Sequence, residues 1–160
     1  MPCRCCAPSR ATHYAWFTSA GDISPPMSDY PPGNPLTGRG TVTRVPKPWG
    51  YEIIWAHTDQ YVGKILHINA GESLSIQYHR EKDETVYLLS GRLSYWVKLP
   101  GRDELQDMKL QTGESFRIAP GTVHYMQAIT DCDVLEASTP HLGDVVRLKD
   151  KYGREGTSAP

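Results

Sequence analysis

Residues Gly71–Gly91 read GESLSIQYHREKDETVYLLSG, a short stretch that brings together a glycine, an amide, an imidazole, a carboxylate and a second glycine. Ser73, Ser75, Gln77 and His79 alternate with Leu74, Ile76 and Tyr78. Strand side chains change face at every residue, so Gln77 and His79 point the same way and two potential ligands share one surface. The polar run Arg80–Asp83 supplies a turn, after which Glu84 opens the apolar run ETVYLLS. This run is expected to return as a neighbouring strand, setting its carboxylate beside the first two groups, and to end at Gly91. Further on, GESFRIAPGTVHYM over 113–126 adds a strand, a Pro120–Gly121 turn and, at the head of the next strand, His124 as a fourth potential ligand.

The same patterning extends outward. YEIIWAH, YVGKILHIN, RLSYWVK, DMKLQ, VHYMQAI and DVLEAST join SLSIQYH, ETVYLLS and SFRIA as runs rich in β-branched and aromatic residues, separated by short turns. No segment sustains a helical period. About nine short strands at this spacing predict an all-β sandwich or barrel, whose interior of alternate side chains can host one ligand. With 160 residues, 39% of them hydrophobic and 22% charged, a single domain is expected over 41–156. Residues 1–40 differ: Pro25, Pro26, Pro31, Pro32 and Pro35 are interleaved with Ser, Asp and Gly without period, which reads as an extended or disordered arm. Met27 opens an alternative start, so residues 1–26 are suspected not to belong to the native protein. Cys3, Cys5 and Cys6 lack a second pair at zinc-finger spacing and, with Cys132, read as reduced thiols.

A net charge of -1 argues against a nucleic-acid or membrane partner, either of which needs a strong basic excess. No apolar run reaches the roughly 18 residues of a membrane span and no secretory signal opens the chain, so a cytoplasmic protein is expected.

The spacing Gly71, Gln77, His79, Glu84, Gly91 resembles the first motif of the cupins, with Gln77 in the place of the first histidine. Gly113, Pro120, Gly121 and His124 resemble the second, although Ala119 and Ala128 depart from it. Glutamine in the first slot, together with KPWGYE (47–52), SLSIQYH (73–79) and GDVVRLKDKYGR (143–154), is similar to the type II phosphomannose isomerases, the isomerase domain of bifunctional GDP-mannose pyrophosphorylases. The resemblance implies a cupin double-stranded β-helix, a jelly-roll barrel, with a divalent metal on Gln77, His79, Glu84 and His124. Two imidazoles, a carboxylate and an amide oxygen suit a borderline ion. Zn²⁺ agrees with the isomerase resemblance, and Mn²⁺, Fe²⁺, Co²⁺ or Ni²⁺ would accept the same ligands. His13, His57, His67 and His141 have no such partners and read as solvated or structural.

Lys64 shares a face with Leu66 and Ile68, so its cation either serves a substrate phosphate or alkoxide, or snorkels from a rim. Glu136, in DVLEAST, is either a base or a paired structural glutamate. Both fall where the type II isomerases carry a lysine and a glutamate. Where those enzymes commonly read Gln-x-His-x-His-Arg-x-Glu-His-Trp, this chain has Glu81 for the second histidine, Lys82 for the arginine and Thr85 for the histidine after the glutamate. Lysine keeps the charge but loses the bidentate fork, and threonine cannot relay protons near neutral pH. Arg147 is a phosphate candidate, whereas Lys149, Asp150, Lys151 and Arg154 read as a solvated charged face.

The expected function is metal-dependent aldose–ketose isomerisation of a small-molecule sugar phosphate, mannose 6-phosphate to fructose 6-phosphate first. Lys64, Lys82 or Glu136 would act as base or electrostatic partner, in a homodimer. An Fe²⁺ oxygenase on the same ligands and a non-catalytic sugar-binding module are the alternatives, because fold does not fix function.

Overall fold

A computed structural model describes residues 38–156. The arm read over 1–40 falls almost wholly outside the described residues, as do His13, Met27 and the three N-terminal cysteines. Among the described residues there are eleven strands and no helix. They are β1 (Thr43–Lys47), β2 (Gly50–His57), β3 (Val62–Ile68), β4 (Ile76–Tyr78), β5 (Glu84–Ser90) and β6 (Leu93–Val97), then β7 (Gln106–Asp107), β8 (Ser115–Ile118), β9 (His124–Ala128), β10 (Cys132–Ser138) and β11 (Val146–Lys149). They form two antiparallel sheets, one in the order β1-β2-β3-β10-β5-β8 and one in the order β11-β4-β9-β6-β7. This is the all-β jelly roll expected from the sequence.

The structure differs from the sequence reading in three respects. β4 and β5 are not neighbours: they lie in opposite sheets, so the turn before Glu84 crosses between the layers instead of closing a hairpin. DMKLQ contributes only the end of the short β7, because the backbone of Lys109 turns into the left-handed region at φ 49°. β1 and β11 were not foreseen. β1 is an edge strand, where the missing N–H of Pro46 costs no inner ladder bond.

The inward rows change character along the strands. In the six-stranded sheet Ile68 and Cys132 give way to Leu66, Val134 and Leu88, these to Lys64, Glu136 and Val86, and these to Val62, Ser138 and Glu84, all buried. Register aligns the rows: Cys132 stands opposite Ile68, Val134 opposite Leu66 and Leu88, and Glu136 opposite Lys64 and Val86. In the other sheet β6 and β9 pair Leu93 with Ala128, Tyr95 with Met126 and Val97 with His124. One half of the interior is therefore an apolar core, and the other is ionic. Gly91 closes the apolar end at φ 85°, where a Cβ would sit 2.2 Å from the Asp131 carbonyl oxygen.

Candidate metal centre

His79, Glu84 and His124 converge from the two sheets at the ionic end, each buried, with their ligand atoms all within 4.8 Å of one another. Local structure fixes both imidazoles. His79 Nδ1 donates to the main-chain carbonyl of Asp144, and His124 Nδ1 donates to that of Thr122 at 2.9 Å. Each ring thus turns its Nε2 inward: His124 Nε2 lies 3.1 Å from Glu84 Oε1 and His79 Nε2 3.7 Å from Glu84 Oε2. His79 Nε2 is buried with no hydrogen-bond partner. With Nδ1 protonated, Nε2 presents a lone pair, and two lone pairs aimed at a carboxylate repel unless a cation stands between them. The donor set and its orientation therefore fit a divalent ion.

Asp144 supports this group twice. Its carbonyl holds His79, and its side chain accepts the N–H groups of Arg80 at 3.1 Å, Glu81 at 2.6 Å and Lys82 at 2.9 Å. The Pro120–Gly121 turn packs on the same strand end, with the Gly121 N–H donating to the His79 carbonyl at 2.6 Å.

A chain of alternating charges leads away from Glu84. Lys82 Nζ bonds Glu84 Oε2 at 2.5 Å and Glu136 Oε1 at 2.7 Å. Lys64 lies 3.7 Å from Glu136 and 3.8 Å from Glu52, and Lys47 lies 3.7 Å from Glu52. Burial alone would lower the pKa of Lys82, but Glu136 and Glu84 outweigh it and hold the ammonium above its ordinary value. Burial likewise favours neutral Glu84, yet the Lys82 ammonium beside it keeps it a carboxylate. Glu136 follows the same balance, with burial overcome by Lys82 and Lys64. His79 is pushed down, by burial first and Lys82 second, which leaves its imidazole neutral at neutral pH.

These groups line one cavity of about 330 Å³ between the sheets. It collects all eight residues singled out in the sequence: Lys64, Lys82, Glu84 and Glu136 from one side, and Gln77, His79, His124 and Arg147 from the other. Gln77 stands opposite His124 in register, and its amide oxygen accepts the Ser75 hydroxyl at 2.7 Å. The solvated face read over 149–154 is corrected in part. Lys149 and Lys151 are exposed, but Asp150 is buried, and Arg154 bonds it at 3.0 Å while lining the cavity. Lys47, Glu52 and Asp144 were missed as well. The signal for Lys47 and Glu52 was the alternation of Val45 with Lys47 and of Glu52 with Ile54, which puts each on the face of an inward apolar residue. Asp144 gave none, since its bonds span 62 to 65 residues.

Residues 64–137 match the family model described as Cupin domain. No curated protein matches the chain closely in sequence. Among solved structures the chain is similar to KdgF from Halomonas sp., at 20% identity and a TM-score of 0.51, over 64% of this chain and 89% of that one. It is similar to the capsular polysaccharide assembling protein CapF from Staphylococcus aureus, at 17% identity and a TM-score of 0.57, over 69% of this chain and 35% of that one. It is also similar to oxalate decarboxylase from Bacillus subtilis, at 14% identity and a TM-score of 0.57, over 67% of this chain and 30% of that one. The chain thus spans about a third of the last two. At these identities the likeness is one of fold, and the fold is that of a cupin.

Proposed function

We propose that this chain, a cupin by fold, is a divalent-metal-dependent isomerase of sugar phosphates, with mannose 6-phosphate and fructose 6-phosphate as the first pair to test. One observation carries the reading: two imidazole lone pairs converge on a buried carboxylate, in a cavity whose wall holds a second buried carboxylate, Glu136, between two lysines. His79, Glu84 and His124, with the Gln77 amide, would hold the ion, and Zn²⁺ is the ion to expect. When bound, such an ion acidifies the proton on the carbon between two substrate oxygens.

The chain's own residues do the rest. Glu136, kept anionic by Lys82 and Lys64, takes the proton from carbon 2 of the aldose and returns it to carbon 1. A hydroxyl proton passes from the oxygen on carbon 2 to that on carbon 1, so atoms balance through an enediol. The ammonium groups of Lys82 and Lys64 stabilise negative charge developing on those oxygens. Arg147, which faces the cavity, serves the phosphate.

Elemental mass spectrometry on protein purified without chelator or nickel, beside His79→Ala, is the test. About one zinc per chain, as expected of a single site, should be lost in the variant together with isomerase turnover. Unchanged turnover in the metal-free variant removes the reading.

A further inference from the structure

Tyr95 stands at the border between the two halves of the interior. On β6 it faces Met126 of β9, one inward position along from the pair of Val97 with His124. Its side chain has no exposure, and its ring meets Phe116 at 5.7 Å and His124 at 6.4 Å between centroids, both edge to face. A phenylalanine would fill that place as well. The hydroxyl is what sets tyrosine apart, and among the described residues it is buried with no hydrogen-bond partner. A buried donor that has left water without finding an acceptor is unfavourable, and native interiors rarely keep one.

The hydroxyl also lies in the field of the carboxylates. Burial raises the Tyr95 pKa most, and Glu84 and Glu136 raise it further, so the group stays a protonated donor. Both carboxylates already have donors of their own. Lys82 bonds Glu84 Oε2 and Glu136 Oε1, and the Ser138 hydroxyl bonds Glu136 Oε1 at 3.0 Å. Beside Glu84, 3.7 Å from Oε2, His79 Nε2 is a buried acceptor that also lacks a partner. The two unpartnered atoms are of opposite kind. A divalent ion satisfies the lone pair of His79, but no cation accepts a hydrogen bond from the Tyr95 hydroxyl. That donor needs an oxygen.

We infer that the Tyr95 hydroxyl is a hydrogen-bond donor kept for an oxygen that enters the metal centre, either a water or the hydroxyl or carbonyl oxygen of a ligand. The inference rests on the reading that His79, Glu84 and His124 hold an ion. It adds that the ion keeps a position for an oxygen from outside the chain, as catalytic sites do and closed structural sites do not. Tyr95 is not among the residues that line the cavity, so the oxygen it serves is one seated among the metal ligands.

Tyr95→Phe keeps the ring and removes only the hydroxyl. Two affinities read the loss: that of the full chain for zinc, by competition against an indicator, and that of the zinc-loaded full chain for acetohydroxamate, by isothermal titration calorimetry. At least one should fall about tenfold or more, the size expected of a partner beyond the ligands. The denaturation midpoint of the metal-free variant should be no lower than that of the unaltered chain. A fall in zinc affinity alone identifies the oxygen as a resident water, a fall in acetohydroxamate affinity identifies it as the ligand's, and either supports the donor. Both affinities unchanged overturn it. If the midpoint falls or the variant does not fold, proton NMR on the unaltered chain with labelled tyrosine decides. The Tyr95 hydroxyl resonance should move downfield when zinc and acetohydroxamate are added, and no movement overturns the donor. Isomerisation does not enter these measurements. A working donor without turnover of mannose 6-phosphate removes the isomerase reading alone, turnover with an idle hydroxyl removes this inference alone, and absence of zinc binding in the unaltered chain removes both.

Discussion

Lys82 leaves a polar turn and ends between two buried carboxylates, so its contribution is better gauged by removing it than by its place in sequence. Lys82→Met keeps much of the volume but leaves Glu84 and Glu136 facing each other without their cation. Breaking a buried pair in this way costs about 3–5 kcal/mol, and urea denaturation of the metal-free protein should show a loss of that order. Added zinc should restore part of it, because a cation then meets Glu84 again. His79 sets a second measurable trend. Its pKa in the folded chain lies below the ordinary 6.5, because burial and Lys82 disfavour the imidazolium. Below about pH 6.5 the unfolded chain binds the proton that the folded chain resists, so stability should fall as pH drops through that range and level off above it. Glu84, also lowered, extends the loss below the ordinary carboxylate value of 4.5. Denaturation midpoints of the metal-free protein should therefore be lower at about pH 5.5 than at about pH 7.5, with a smaller gap in His79→Ala. An equal or higher midpoint in acid would count against the arrangement.

Among the elements, the segment between β10 and β11 carries more of the site than its irregular backbone suggests. Asp144→Ala removes the carboxylate that accepts three N–H groups of the turn that delivers Lys82 and Glu84, and loosens the carbonyl that orients His79. Supporting partners of this kind are worth about 10–100-fold in metal affinity, and competition against a zinc indicator should show a loss of that size with the overall fold retained. How far the elements could be read from sequence follows from the range of the forces that make them. β3, β5 and β10 were legible because burial of alternate residues leaves a period of two in the chain itself, and that period also placed Lys64 on the inward face of Leu66 and Ile68. The left-handed turn at Lys109 left no such mark, and neither did the assignment of β4 and β5 to different sheets, which pairing across the whole domain decides. Arg154 looked solvated because its partner Asp150 belongs to the same charged run, and only the fold shows that this run turns into the cavity.

For the whole molecule, the partition of the interior into an apolar and an ionic half predicts that stability and ligand binding can be altered separately. Ile68→Ala, at a side chain with no exposure, should cost about 2–5 kcal/mol. Calorimetry should show that loss while zinc stoichiometry by elemental analysis stays unchanged, and a parallel loss of metal would contradict the partition. The two halves lie on the same strands, β3, β5 and β10 in one sheet and β9 in the other, so the same backbone ladders serve both. Selection on what the protein binds and selection on whether it folds therefore act at different positions of shared strands. New ligand preferences can then arise through Lys47, Arg147 or Arg154 while Ile68 and Val134 keep the scaffold as it is, which leaves this lineage room to diversify in chemistry without passing through unfolded intermediates of its own history.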